Sequence, residues 1–280
     1  VLVTAATDLE PRPHPAKFSP EIVRQLRRLV LDEHAGVQAR TGDARPLKLL
    51  DPFAGSGGVH ELEERGVVWT MGVELEEEWA SQHPRTQVGD ATDLPADWTG
   101  AFDVLATSVC YGNRLADGYD GAGECKRCEG SGDDPEDEGA DCTRCKGAGH
   151  DTSKRFTYRI ALGRPPSPGS ACPLRWGAEY RDLHVRAMVE WERVLRPRTL
   201  EDPGGLLLLN TSNFMRLDEL QLVTEWFVST LASRGWRLLG CFPVGTRRIG
   251  FGSNRDLRDD FEMVTAARPP AGAPTLPLAP

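Results

Sequence analysis

Three short apolar runs each end in an acid. Leu47 to Leu50 leads to Asp51, Val67 to Val73 leads to Glu74, and Thr86 to Val88 leads to Gly89-Asp90-Ala91. A carboxylate at Glu74 can accept both hydroxyls of a ribose. One at Asp90 can accept from an adenine amino group. Behind Asp51 follows Pro52-Phe53-Ala54-Gly55-Ser56-Gly57-Gly58. Its glycines let the backbone pass close beneath a ligand, and a following helix offers its N-terminal amides. The run is neither Gly-x-x-x-x-Gly-Lys-Ser/Thr nor a full Gly-x-Gly-x-x-Gly. Taken singly, these features are a tight turn and, for Glu74, a surface acid in the run Glu74, Glu76, Glu77, Glu78. Taken together, the three strand ends describe a nucleoside pocket.

A second constellation is an internal repeat. Cys125-Lys-Arg-Cys128-Glu-Gly-Ser-Gly132 and Cys142-Thr-Arg-Cys145-Lys-Gly-Ala-Gly149 share the form Cys-x-x-Cys-x-Gly-x-Gly. Two such knuckles bring four thiolates to one tetrahedral Zn²⁺, and the glycines let amides turn toward the sulfurs. Duplication with matched glycines argues against a redox dithiol. The segment has no core of its own, so it is expected to fold only with metal bound. Whether it grips a polyanion or acts as a structural clip stays open. Cys172 and Cys241 have no paired spacing, and His34, His60, His83, His150 and His184 are not clustered in sequence.

The elements that must position these groups follow from periodicity. Ser19-Pro20-Glu21 caps a helix to about Val37, with Ile22, Val23, Leu26, Leu29 and Val30 on one face. Strands are predicted at Leu47–Asp51, Val67–Val73, Thr86–Val88 and Phe102–Ala106, with a helical stretch from the glycine turn to Glu64. Gly112 to about Arg175 has little periodicity and is too long for an ordinary loop. The alternation then resumes. A helix is predicted at Glu179–Leu195, a strand at Gly205–Asn210 and a helix at Leu217–Arg234 stopped by Gly235. Strands follow at Trp236–Val244 and Phe261–Ala266. Alternating strands and helices predict an α/β chain with a mainly parallel sheet.

The chain has 280 residues, 39% hydrophobic and 27% charged, which supports one buried core with an insertion. No run of about 18 apolar residues exists, so no membrane span is expected. Val1 to Lys17 shows no charged segment followed by an apolar one, so no signal peptide is expected, and the seven cysteines suit a reducing cytoplasm. A net charge of −9 argues at first against nucleic acid. The distribution changes that reading. Asp117 to Asp151 carries a net −7 and Thr152 to Arg198 a net +6. The basic stretch is expected to offer phosphate contacts, with a solvated helix face at Arg181, Arg186 and Arg193 as the alternative. The Asp133–Asp141 run marks where a polyanion should not lie.

Asp51-Pro-Phe-Ala-Gly-Ser-Gly57 resembles motif I of the S-adenosylmethionine-dependent DNA amino-methyltransferases. The resemblance implies that Asp51, Phe53, Gly55 and Gly57 cradle the cofactor's amino-acid part. It implies that Glu74 holds the ribose and that Asp90 with Ala91 meets the adenine. His14-Pro15-Ala16-Lys17-Phe18-Ser19 resembles motif X, which implies cofactor contacts from Lys17, Phe18 and Ser19. Ser108-Val109-Cys110-Tyr111 resembles the family's catalytic Asp/Asn/Ser-Pro-Pro-aromatic motif. There the serine and a following carbonyl accept the target amine's hydrogens while the ring stacks on the extruded base. Val109 and Cys110 replace two prolines, so the loop loses two fixed φ angles, and the surrounding fold must hold it for activity. Carbon-5 cytosine chemistry would resemble a Pro-Cys loop with Glu-Asn-Val, and neither is present. Further segments at Tyr111–Asp117, Tyr158–Arg164, Trp176–Tyr180 and Phe251–Asn254 look like DNA methylases of bacteriophages and some bacteria. The cysteine repeat resembles the zinc-binding region of J-domain co-chaperones.

The resemblance implies a Rossmann-like class I methyltransferase fold. Its seven-stranded, mostly parallel sheet would have helices on both faces, an antiparallel last strand and a zinc insertion after the fourth strand. The expected organisation is an arm at 1–16, the enzyme domain at 17–116 and 152–268, the insertion at 117–151 and a disordered tail at 269–280. The expected reaction is methyl transfer to N6 of adenine or N4 of cytosine in a flipped-out base of duplex DNA, Ser108 leaning toward cytosine. The rival readings are an RNA or protein substrate, or a cofactor- and zinc-binding DNA-binding protein without turnover. No membrane partner is expected, and a homodimer is left open.

Overall fold

The computed structural model describes residues 18–110, 127–129, 131, 133–143, 158–162, 164–216, 219–246 and 259–272. Ser19 accepts from the Ile22 amide at 3.2 Å and Pro20 occupies the first turn, so helix α1 starts at Pro20. It runs to Thr41, four residues past the expected end. Gly42, at φ 71°, stops it by donating to the Gln38 carbonyl.

The strands of the main sheet are β1 (Leu47–Asp51), β2 (Val68–Glu74), β3 (Thr86–Val88), β4 (Val104–Ser108), β7 (Leu206–Thr211), β10 (Arg237–Gly245) and β11 (Phe261–Arg268). Their order is β10-β11-β7-β4-β1-β2-β3. All pairings are parallel except those of β11, which runs antiparallel to both its neighbours. The α/β class, the seven strands and the antiparallel last strand thus stand as expected.

Continuous apolar strands are what a sheet buried on both faces requires. Leu47, Leu49, Val104, Ala106, Leu206 and Leu208 pack on the α1 side. Their neighbours Leu50, Leu105, Leu207 and Leu209 pack on the other side. That side is covered by α4 (Ala178–Val194) through Ala187, Met188 and Trp191, and by α5 (Val223–Ser233) through Phe227 and Leu231. The strand order reverses between β1 and β4, which opens a crevice at their carboxyl ends.

Several expectations are corrected. The stretch after the glycine turn is only a 3-10 turn, Gly58–Leu62, beside a short helix α2 at Glu77–Ala80. The helix expected from Leu217 starts at Val223, because β8 (Phe214–Arg216) and β9 (Glu219–Gln221) pair as a hairpin first. Asn213 Oδ1 then accepts from the Thr224 amide at 2.9 Å and sets the start of α5. The acidic part of the insertion, expected to be irregular, forms a hairpin of β5 (Asp133–Asp134) and β6 (Asp137–Asp141). Arg127 makes it tolerable by donating to both Asp134 and Glu136. A short helix α3 follows at Tyr158–Leu162.

One buried ion pair joins the chain's two ends of structure. Arg268 of β11 meets Glu33 of α1 at 2.6 Å and also donates to the Gly204 carbonyl. Arg268→Ala leaves the Glu33 carboxylate without its strongest partner. It is expected to cost about 3–5 kcal/mol in denaturant unfolding. A loss below about 1 kcal/mol would show that water reaches the pair.

Candidate functional site

The crevice at the switch point is a solvent-open cleft with an empty volume of about 840 Å³. It begins at Asp51, whose Oδ1 accepts from the Phe53 amide at 3.0 Å and turns the chain over the end of β1. Gly55 at φ 54° and Gly57 at φ 86° complete the turn in the left-handed region. A Cβ on Gly57 would lie 2.9 Å from the His60 ring and 3.0 Å from His83. Gly57 therefore shapes the turn from behind, whereas Asp51, Phe53 and Gly55 line the cleft.

Glu74 locks this turn to the next. Its Oε2 accepts from the Gly55 amide at 2.9 Å and its Oε1 from the Glu76 amide at 3.0 Å. Burial pushes the Glu74 carboxyl up to about 7, against the pull of those two amides. Burial likewise raises Asp51 to about 7. Asp90 spends one oxygen locally, Oδ1 accepting from the amide and the hydroxyl of Thr92 at 2.7 and 2.8 Å. Its Oδ2 faces Gly169. Ala91 and Phe18 also line the cleft. Ser19 does not, because its hydroxyl caps α1. Lys17 lies outside the described residues.

Residues 164–172 form a strap that sequence reading missed. Glu76 is fully buried. It accepts from Arg164 Nη2, the Ser167 amide and the Ser167 hydroxyl, each at 2.8 Å. Arg164 also grips Glu78 through two bonds of 2.6 Å. This clasp lays Gly169, Ser170, Ala171 and Cys172 along the cleft, and Tyr158 of α3 joins them while its ring packs on Trp79. The signal was present as four acids and a distant arginine, but spacing cannot pair residues 86 positions apart.

The opposite wall is the end of β4. Ser108, Val109 and Cys110 line the cleft, and Tyr111 lies outside the described residues. Asn210 of β7 donates to Ser108 Oγ at 3.2 Å and to Glu262 of β11 at 2.8 Å. Val109 is buried in the core. Tyr180 of α4 donates its hydroxyl to the Cys110 carbonyl. A packed side chain and a tether thus hold this loop.

Behind Tyr180 sits His184, fully buried, its Nδ1–H donating to the Tyr180 carbonyl at 2.7 Å. Burial lowers its pKa to about 4. A depressed histidine stabilises the fold at neutral pH, and this contribution is lost as pH falls from 6.5 through 4. The unfolding free energy is expected to drop by up to about 3 kcal/mol across that window, and His184→Gln should flatten the profile.

No family model matches this chain. No curated protein matches it either. Solved structures resemble it at low identity. The (4+2)-cyclase SpnF is 14% identical, with 93% of this chain and 88% of that chain covered and a TM-score of 0.45. The 1,6-didemethyltoxoflavin-N1-methyltransferase of Burkholderia thailandensis is 14% identical, covering 93% and 94%, with a TM-score of 0.41. The magnesium protoporphyrin IX methyltransferase of Synechocystis PCC 6803 is 11% identical, covering 91% and 86%, with a TM-score of 0.40. At this level of likeness neither activity nor substrate passes to this chain.

The cysteine repeat is described only in part. Cys128 and Cys142 are buried against one another at the ends of the β5–β6 hairpin, while Cys125 and Cys145 lie outside the described residues. Among the described residues no group of three or more His, Cys, Asp or Glu could hold a metal ion. Nor, among them, is any helix long and apolar enough to cross a membrane.

Three arginines of the basic stretch are engaged inside the protein. Arg164 holds Glu76 and Glu78, Arg193 holds Glu190 and three loop carbonyls, and Arg196 holds Asp103. Arg186 pairs with Asp182, and Arg181 lies 4.6 Å over the Trp176 ring. Arg193 thereby ties the 94–96 loop to α4, and Arg164 ties the strap to Glu76 and Glu78.

Proposed function

We propose that this chain is an S-adenosylmethionine-dependent methyltransferase acting on an exocyclic amine of a nucleobase, N6 of adenine or N4 of cytosine, in DNA. One observation carries the reading. A single cleft joins the Gly55 turn, Glu74 and Asp90 to the Ser108–Cys110 loop. The cofactor suits these residues. Glu74 and Asp90 stand at the ends of adjacent strands as acceptors for a ribose diol and an adenine amine. Gly55, Ala91, Gly169 and Ala171 leave room for the rings. The buried acids Asp51 and Glu74 favour a cationic ligand. S-Adenosylmethionine, when bound, supplies a methyl group on a positively charged sulfur.

The chain's own groups do the rest. Ser108 Oγ, held by Asn210, accepts one hydrogen of the incoming amine. Tyr180 occupies the Cys110 carbonyl, which leaves the Val109 carbonyl for the other. The amine's lone pair is thereby aimed into the cleft. Arg193 and Arg196 are engaged internally, which leaves Arg181, Arg186 and the 250–258 segment, outside the described residues, as the DNA-facing groups of this reading. The rival without turnover is disfavoured by the Tyr180 tether.

The test is incubation with tritiated S-adenosylmethionine and DNA, RNA or protein in separate reactions, followed by nucleoside mass spectrometry. Label in N6-methyladenine or N4-methylcytosine of DNA is expected. Label confined to RNA or protein would move the substrate, and no calorimetric binding of S-adenosylmethionine would end the reading.

We also propose that Cys125, Cys128, Cys142 and Cys145 hold one Zn²⁺. The contact of Cys128 with Cys142 across the hairpin supports it. One zinc per chain is expected by atomic emission. Chelation should open the insertion to protease while leaving the 17–116 segment intact, and a zinc content below one in ten chains would refute it.

A further inference from the structure

Cys110 and Cys172 come from opposite sides of the cleft, one from the catalytic loop and one from the strap. Their sulfurs lie 3.9 Å apart, and both line the cleft that admits small molecules. The motif resemblance uses neither thiol, and they are 62 residues apart, so no spacing suggested the pair. The strap is clamped at its other end by Arg164 and Ser167 on Glu76, which holds Cys172 in place. The Cys110 carbonyl is held by Tyr180. Two anchored thiols therefore face one another, needing to close from 3.9 Å to about 2 Å.

We propose that Cys110 and Cys172 are a modification site, forming a reversible disulfide with hydrogen peroxide as oxidant. The Cys172 thiol hydrogen-bonds Cys110 and lowers its pKa against the opposing effect of burial, while Cys172 is itself raised. Tyr158 also hydrogen-bonds Cys110, Ser170 hydrogen-bonds Cys172, and Glu74 is the carboxylate facing both. Cys110 is thus the attacking thiolate and Cys172 the resolving thiol.

The chemistry balances in two steps. Cys110 sulfur attacks one peroxide oxygen, the O–O bond breaks, and the other oxygen leaves as water after taking a proton. This gives a Cys110 sulfenic acid. Cys172 sulfur then attacks Cys110 sulfur, the S–O bond breaks, and a second water leaves carrying the Cys172 proton. Two thiols are oxidised by two electrons in all, and one peroxide is reduced to two waters. A dithiol reverses it. Because the bridge pulls the Ser108–Cys110 loop toward the strap, the oxidised form is expected to transfer methyl at least tenfold more slowly. This consequence rests on the function proposed above.

The full chain, zinc-loaded, is treated with a few equivalents of hydrogen peroxide and digested without reduction for mass spectrometry. A peptide pair joined through Cys110 and Cys172 in more than half of the chains, lost on dithiothreitol treatment, is expected. In Cys172→Ser, whose hydroxyl can keep a hydrogen bond to Cys110 but cannot resolve it, Cys110 should instead trap as a dimedone adduct. Cys110 joined to a knuckle cysteine, or left as a thiol while exposed Cys241 is oxidised, would overturn the site. This mapping uses neither cofactor nor acceptor. If the link forms but the reduced protein binds no S-adenosylhomocysteine, the function reading fails and the disulfide stands.

Discussion

Glu74→Gln should weaken S-adenosylmethionine binding about 100-fold. The carboxylate holds the Gly55 and Glu76 amides, and the ligand's two hydroxyls need its remaining lone pairs. A carboxamide keeps one acceptor and turns a donor against one of those amides. An unmet buried amide and a lost charged hydrogen bond together cost about 2–3 kcal/mol, which is about 100-fold in affinity. The same residue sets a pH dependence. Glu74 and Asp51 both stand near 7 in the protein, so below that pH they are largely protonated. A cationic ligand favours the ionised forms, so affinity should rise with pH through 7 and level off above it, with protons released on binding. Glu74→Gln should remove part of that release. For the unliganded fold the sign is opposite. A raised carboxylate stabilises the fold below its unfolded value near 4, and this is lost as pH rises through 7. Calorimetry at pH 6, 7 and 8 in two buffers of different ionisation heat checks both. A change under threefold in the variant, with its thermal midpoint intact, would take Glu74 out of the binding site.

Tyr180→Phe should lower kcat for methyl transfer about tenfold or more while leaving cofactor affinity within twofold. The ring stays packed among Trp176, His184 and Phe227, so only the hydroxyl is lost. That hydroxyl is the tether on Cys110, in a loop where Val109 and Cys110 stand in place of two stiffening prolines. Reintroducing them as Val109→Pro with Cys110→Pro in the Tyr180→Phe background should recover part of kcat, because a fixed φ substitutes for the lost bond. An unchanged kcat in Tyr180→Phe would mean that packing of Val109 alone holds the loop.

Much of the local structure was legible because local rules decide it. The Ser19-Pro20 start of α1 and the strand β1 follow from capping and from an apolar run ending in an acid, whereas the helix end at Thr41 lay beyond the expected Val37. The acids Asp51, Glu74 and Asp90 were legible because strand ends in an α/β sheet face one side, so residues there must converge. The boundary of α5 was not legible. Leu220 and Leu222 fit a helical period, yet they are exposed beside a hairpin that forms first. Arginine roles were not legible either. A basic stretch in sequence looks like a phosphate surface until Arg164, Arg193 and Arg196 find buried acids.

The sequence by itself determined the α/β alternation, the glycine turn and the acids that must meet at its strand ends. Pattern and turn chemistry act over a few residues and need no partner to be read. Only the tertiary structure decided that Glu76 is a buried clasp for a strap, that Tyr180 tethers the Cys110 carbonyl, and that Cys110 faces Cys172 across the cleft. Each of those depends on contacts between segments 62 to 91 residues apart. Burial, which turns an ordinary acid into a clasp, is a property of the packed whole.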